Sequence, residues 1–440
     1  MKTPFSKGKK EKLNQSKDNI QQDAIRKWIN ASYTGTLSIC TGGGKTRVAV
    51  IGVGELLRND EETLNALVVV PTINLKDQWT DEFIKWGYSD VLNKVTIECV
   101  QSSYKDHDRH FDVLVLDEVH LYLSDEFKKV FDISYKYLLA LTATIPSEPD
   151  RQSFLFGKAP LLYSLNLTEA VELGIVSSYD LYNMSITLTA KESRSYQYWD
   201  KRFKEAQHEL NKHIFVTKLE YTNSFKIAQL AKEDRDHPMY KIAKDFWLGM
   251  SMRKYICYTA ERKIQTTLDI IKKYPERKWI IFTQHIKFAD RINFELQESD
   301  IPSVVYHSGL KKQEKETALA AIKSPHIRVI VSAMALNTGF DLSDIDSGIC
   351  VSGNSTDITN IQQMGRSLRM KENKKALYIN LYSFGTQEEI WTQKKNVSLK
   401  PIWISKLSDI VDPNQLTLNL DHESKNQIHT QRNNNPNNTI

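Results

Sequence analysis

Cysteine is scarce in this chain and never clustered. Four residues, Cys40, Cys99, Cys257 and Cys350, lie singly in 440, with no C-x-x-C pair. That spacing argues against a structural zinc site, an iron–sulfur cluster or a disulfide framework, and it suits a reducing compartment. Long apolar runs are missing as well. No stretch approaches the roughly 20 apolar residues that span a bilayer, and the opening MKTPFSKGKKEK has no apolar h-region. Charge imbalance is slight: 59 Lys and Arg against 54 Asp and Glu leave +5, which permits an anionic partner without demanding one. The expectation is a soluble cytoplasmic protein with no membrane partner, and its length predicts two or three domains.

What is present is an alternation that occurs twice. TLSIC, ALVVVP, KVTIECV, DVLVLDE and YLLALTAT read as buried strands separated by amphipathic segments. KWIIFT, SVVYHS, RVIVSA, SGICVS and ALYINLYS repeat the pattern. Strands alternating with helices predict an α/β fold with parallel sheets, in domains spanning 19–165 and 166–400. LTEAVELGIVSSYDLYNMSITLT reads as a helix, a turn at Gly174 and a strand that joins the second sheet. From 191 to about 258 the β-branched runs stop, and Lys, Glu, Gln and aromatics predict a helical insertion within the second domain. Residues 1–18 read as a disordered basic arm, and 401–440 as a C-terminal extension with a disordered Asn-rich end.

LSICTGGGKTRVAV, Leu37 to Val50, sets three glycines beside one lysine. Glycines let successive backbone N–H groups turn inward around an anion, and a helix starting near Lys45 points its positive end at the same place. Thr41, Gly42, Gly43, Gly44, Lys45 and Thr46 therefore form a candidate phosphate cradle. Lys45 would reach the β- and γ-phosphates and the Thr46 hydroxyl would ligate Mg²⁺. The pattern G-x-x-x-x-G-K-[ST] is incomplete, because Ile39 holds its first glycine position. From this stretch alone, a glycine turn that binds nothing stays open. Asp117 and Glu118 then end FDVLVLDEVH, at the carboxyl edge of a strand where open sheets bind ligands. An Asp there holds Mg²⁺ through its water shell, and a neighbouring Glu polarises the attacking water. The expected cofactors are ATP and Mg²⁺.

LDEVH, Leu116 to His120, resembles the DExH box of superfamily 2 helicases and translocases. Further motifs of that superfamily follow in order over roughly Ile20 to Ser383. IQQDAIRKW resembles the Q-motif region, VVVPTINLKDQW motif Ia, CVQSSYK motif Ib/Ic and LTATIPS motif III. WIIFTQHIKFADRI resembles motif IV, with YHSGLKKQEKE after it; VSAMALNTGFDLSD resembles motif V and IQQMGRSLRM motif VI. The resemblance implies two tandem RecA-like domains. It makes Gln22 the adenine reader and Asp341 the contact to the ribose, and it brings Gln362 and Arg366 to ATP and the DExH box. It has His120 couple the ATP site to motif VI or III, with Thr142 and Thr144 linking nucleotide state to domain closure. It places Thr72, Ser102, Thr283, His307, Ser332 and Thr338 along a strand-binding groove, where small polar groups suit phosphate contacts. Each also suits a cap or a turn. Arg366 and Arg369, three apart, share one helix face, and two guanidiniums there would clamp charge developing on a γ-phosphate, as arginine fingers do.

The insertion interleaves basic residues with Tyr196, Tyr198, Trp199, Phe203, Phe225, Phe246 and Trp247. Such a surface stacks bases or wedges a junction; equally, the aromatics form the core of a helical hairpin with KRFK exposed. The resemblance is nearer to DNA repair, recombination and branch-migration helicases, including compact phage-encoded ones, than to DEAD-box RNA enzymes. It implies a monomeric ATP-dependent DNA helicase moving 3′→5′ on single-stranded, forked or branched DNA. Three alternatives stay open: a duplex translocase motor of a restriction-type complex, an RNA helicase, and a binding module with a degenerate phosphate loop.

Overall fold

Parallel strands covered on both faces need continuous apolar runs, and this chain folds its runs accordingly. The computed structural model describes residues 4–59, 64–106, 108–146, 148–176, 178–217, 224–333, 345–352, 375–395 and 400–411. The chain passes from a first compact unit to a second between Ser178 and Tyr179.

The first unit runs α1 (Pro4–Asn30), β1 (Thr34–Ile39), α2 (Lys45–Asn59), β2 (Ala66–Val70), α3 (Ile73–Lys85), β3 (Val95–Cys99), α4 (Val100–Ser103), β4 (His110–Leu116), β5 (Ser134–Thr142), α5 (Pro149–Lys158), β6 (Leu161–Leu165) and α6 (Leu167–Glu172). Its six strands pair in the order β3-β2-β4-β5-β1-β6, and every ladder is parallel. All five residues of β2 are buried. Trp28 seats α1 on this sheet, its indole donating to Leu138 O at 3.1 Å.

Three expectations change here. The basic arm is helical from Pro4 and continuous with the rest of α1; Lys and Gln favour a helix once its later turns are anchored. β6 was not read from LLYSL, because it is an edge strand with one of its five residues buried. Consequently the first unit extends beyond 165 and includes α6. A capping box starts α6: Asn166 Oδ1 accepts from Glu169 N, and Glu169 Oε2 accepts from Asn166 N, each at 2.9 Å.

The second unit runs β7 (Tyr179–Ile186), α7 (Ala190–Thr217), α8 (Ser224–Glu233), α9 (Tyr240–Tyr258), α10 (Glu261–Lys273), β8 (Trp279–Thr283), α11 (Ile286–Glu298), β9 (Ser303–His307), α12 (Lys312–Lys323), β10 (Val329–Ala333), β11 (Ser347–Cys350), β12 (Ala376–Ser383), α13 (Gln387–Lys395) and β13 (Ile402–Ile404). Seven strands pair in the order β13-β7-β12-β11-β8-β10-β9, with parallel ladders from β9 through β12 and between β13 and β7. β7 follows the turn at Gly174, whose φ is +69°. β13 comes from a stretch expected to be an extension outside the domain, and Lys273 Nζ holds the chain beyond it at Leu407 O, 2.8 Å away. The expected Asn-rich end lies outside the described residues.

The insertion is α7, α8 and α9, and it has two cores. Ala206, Leu210, Ala228, Ala231, Met239, Ala243 and Phe246 pack together distally. Tyr196, Ile256, Cys257 and Tyr258 pack at the base with Trp199 and Trp391. Most of its aromatics are thus structural; Tyr198 remains 54% exposed.

Candidate ATP site and nucleic-acid contacts

β1 delivers the chain to the glycine loop and α2 carries it away. Gly42 and Gly44 have φ of +85° and +95°, a left-handed region that costs other residues strain. Ile39 is fully buried, and a Cβ on Gly43 would lie 2.5 Å from its Cγ2. The departure from the phosphate-loop pattern therefore falls in the packing beneath the loop, and the backbone of Gly42–Gly44 is unaffected. Burial pushes the Cys40 thiol up to about 11, so it brings no thiolate to an anion site.

Lys45 opens α2, is 3% exposed, and donates to Glu118 Oε1 at 2.8 Å. Glu118 stands at φ +51°, ψ +47° directly after β4 and Asp117. His120 follows, its Nδ1 3.0 Å from Thr142 Oγ1 and 3.6 Å from Glu118 Oε2. Thr142 in turn donates to Thr144 O at 2.7 Å. That use of the hydroxyl proton leaves His120 Nδ1–H as the donor to Thr142. Burial first, and the charge of Lys45 after it, hold His120 below 6.5 despite the opposing pull of Glu118, so the imidazole is neutral at pH 7. A continuous polar chain thus joins Lys45, Glu118, His120, Thr142 and Thr144.

Asp117 is 2% exposed. Its backbone N–H donates to Val69 O at 3.0 Å, and its Oδ2 accepts from Trp79 Nε1 at 2.9 Å. Among the described residues no cluster of three or more His, Cys, Asp or Glu gathers as a metal cage. The Asp117 carboxylate and the half-buried Thr46 hydroxyl are hard oxygen donors near a glycine loop whose Gly42 and Gly44 adopt positive φ. They fit Mg²⁺, which takes one or two protein oxygens and completes its shell with phosphate and water.

Gln22, the expected adenine reader, is exposed, whereas its neighbour Gln21 shares the buried face of α1 with Ala24, Ile25 and Trp28. Gln21 Nε2 donates to Gly43 O at 2.9 Å and its Oε1 accepts from Arg47 at 2.7 Å. Lys17 Nζ also reaches the loop, donating to Gly42 O at 2.8 Å. Lys17, Gln21, Arg47 and Trp79 were missed in the sequence. The spacing of Gln21 from Ala24, Ile25 and Trp28, at i, i+3, i+4 and i+7, was the signal available for one of them.

The strand-contact candidates divide. Thr72 caps α3 and is half-buried, and Ser102 is exposed on α4. Thr283, His307 and Ser332 reach the carboxyl ends of β8, β9 and β10 but are 2%, 5% and 1% exposed. Thr283 Oγ1 lies 3.0 Å from Ser352 Oγ, and His307 Nε2 lies 2.9 Å from Asp290 Oδ1. Thr283 and His307 are thus each engaged by a neighbouring side chain, whereas Ser332 Oγ and His307 Nδ1 are buried without a hydrogen-bond partner among the described residues. Beside them a cavity of about 540 Å³ is lined by Tyr255, Thr259, His285, Lys287, Arg291 and others. Gln362, Arg366, Arg369, Asp341 and Thr338 lie outside the described residues.

Comparison with known proteins places this geometry in a family. Residues 15–147 match the family model described as the res subunit of type III restriction enzymes, and residues 262–371 match the helicase conserved C-terminal domain. With the polar chain from Lys45 to Thr144, these define an ATP-dependent helicase of superfamily 2. Its homologues are XPB-like. The DNA 3′-5′ translocase XPB2 of Sulfurisphaera tokodaii is 27% identical over 390 residues, covering 84% of this chain and 82% of the relative. The DNA 3′-5′ helicase XPB of Mycobacterium tuberculosis is 21% identical, over 78% of this chain and 56% of the relative's length. In fold, the chain resembles Saccharomyces cerevisiae Dbp5 bound to RNA and ADP–BeF3, with a TM-score of 0.57 at 12% identity, over 88% of this chain and 89% of that one. Both units are therefore RecA-like. No helix among the described residues is long and apolar enough to cross a membrane.

Proposed function

We propose that this protein moves 3′→5′ along DNA by hydrolysing ATP with Mg²⁺, and that it unwinds or remodels forked DNA. The observation that carries the reading is the Lys45–Glu118 pair at 2.8 Å. A lysine held this close to the expected base is released when phosphate arrives to take its charge. Glu118 Oε1 then exchanges an ammonium partner for a water, from which it accepts a proton. His120, neutral and hydrogen-bonded to Thr142, senses that exchange because it borders Glu118 Oε2 at 3.6 Å. Through Thr142 and Thr144 the change reaches the turn after β5. Thr46 and Asp117 would hold Mg²⁺, which would supply positive charge to the phosphate oxygens. DNA is preferred to RNA because the XPB relatives act on DNA by name and match most of this chain.

The restriction-subunit model favours one second reading, a duplex translocase without strand separation. One panel tests both: ATPase and displacement on single-stranded, blunt, forked and four-way DNA, with RNA alongside. Displacement of forks with a 3′ tracking strand supports the proposal. DNA-stimulated ATPase without displacement supports the duplex translocase, and stimulation by RNA alone overturns both.

A further inference from the structure

Three tryptophans, Trp28, Trp79 and Trp279, are buried almost completely, and a buried indole N–H requires an acceptor. Trp28 donates to Leu138 O at 3.1 Å and Trp279 to Tyr274 O at 3.5 Å, both backbone carbonyls that serve packing. Trp79 instead donates at 2.9 Å to Oδ2 of Asp117, the acid of the DEVH box. The indole is neutral. It fixes the carboxylate plane without cancelling the charge that a divalent cation needs, as a lysine or arginine in its place would do.

Trp79 also belongs to an element that begins elsewhere. α3 starts at Ile73, which is 73% exposed, directly after the half-buried N-cap residue Thr72. Leu75, Trp79 and Phe83 follow at four-residue spacing on its buried face. The backbone N–H of Asp117 is held by Val69 O on β2, the strand leading into α3. A displacement of α3 relative to β2 therefore changes the Trp79–Asp117 bond.

We propose that Trp79 is a positioning residue that orients Asp117 toward the metal of bound nucleotide and links that carboxylate to strand occupancy at the start of α3. The proposal rests on the ATP-site reading above. Its test is binding of Mn²⁺, followed by electron paramagnetic resonance, to the full chain with a non-hydrolysable ATP analogue. Trp79→Phe keeps the ring and removes the donor. Its Mn²⁺ affinity should fall 10- to 100-fold, the usual loss for an outer-shell partner, with metal-free analogue binding unchanged. Single-stranded DNA should tighten Mn²⁺ on the wild type and not on the variant.

Wild-type Mn²⁺ affinity in Trp79→Phe, or an undiminished response to DNA, overturns the proposal and leaves the indole as core packing. An Asp117→Asn control separates the two readings: if it too binds Mn²⁺ normally, the metal-site assignment itself has failed. Should Trp79→Phe not fold, the Trp79 indole ¹⁵N–¹H resonance of the wild type decides. A shift on adding Mg²⁺ to the analogue complex supports the proposal, and an unmoved resonance overturns it.

Discussion

Lys45 and Glu118 stabilise one another at 2.8 Å with 3% and 12% of their side chains exposed, so each substitution acts on both. Lys45→Ala removes the cation aimed at the phosphates and should lower kcat about 10²- to 10³-fold, while DNA binding persists; steady-state ATPase and a DNA mobility assay check this. Glu118→Gln keeps the shape and loses the base, so hydrolysis should fall about 10²- to 10⁴-fold with ATP still retained on filters. His120 carries a pH signature. Burial and Lys45 depress its folded pKa, so on acidification the unfolded chain takes up its proton first. Stability is therefore lost as pH falls from about 6.5 toward the folded value, with a slope of up to about 1.4 kcal/mol per pH unit. Urea unfolding between pH 7.5 and 5 should show that slope in the wild type and a flatter one in His120→Asn; parallel curves would remove the buried imidazole from the account.

At the scale of elements, the second sheet depends on an ion pair that the sequence does not announce. Lys263 on α10 is fully buried and donates to both oxygens of Glu388 on α13, at 2.8 and 2.9 Å, and to Val351 O just after β11 at 2.7 Å. Glu388 Oε2 also accepts from Ser383 N at 2.7 Å. Removing one partner strands the other charge, so Lys263→Met should cost about 3–5 kcal/mol in denaturant unfolding. Lys263→Met with Glu388→Gln should recover much of that, because the amide oxygen still accepts from Ser383. The pair joins residues 125 apart, and helical periodicity carries no information about such a partner. The same reason explains what the sequence revealed elsewhere. β1, β2, β4, β5, β8 and β10–β12 were legible because burial in the sheet interior demands continuous apolar runs. The edge strands β3 and β9 were legible because KVTIECV and SVVYHS still carry β-branched residues. β6 and β13 were not: they are also edges, with one buried residue each, and LLYSL and the short IWI lack such a β-branched run. The glycine loop and the DEVH box were legible as chemistry; Gln21 and Trp79 were not, since only the fold turns their side chains toward those groups.

For the whole molecule, the proposed function makes the insertion the element that would separate moving along a strand from opening a fork. Two RecA-like units suffice for an ATP-driven motor, and a junction needs a further element. The insertion's base cannot be that element, because Tyr196 and Tyr258 pack with Trp391 and Tyr196 Oη accepts from Gln387 N at 2.7 Å. KRFK is partly engaged: Arg202 is bound to Asp245 at 2.5 Å and Lys204 to Asp200 at 2.7 Å, with Lys201 and Lys204 still exposed. The distal part is different. Lys241 and Lys244 lie three apart on α9, both exposed, and neither has an ion pair among the described residues. They are therefore available to duplex phosphate. Replacing residues 206–244 with a short Gly-Ser turn should leave ATPase stimulated by single-stranded DNA near wild type and abolish fork displacement. Lys241→Glu with Lys244→Glu should weaken displacement within an intact fold. Added salt should deepen the defect by screening the contacts that remain. Displacement at the wild-type rate by the shortened, folded protein would make the distal hairpin a structural support alone, and fork opening would then belong to the two sheets.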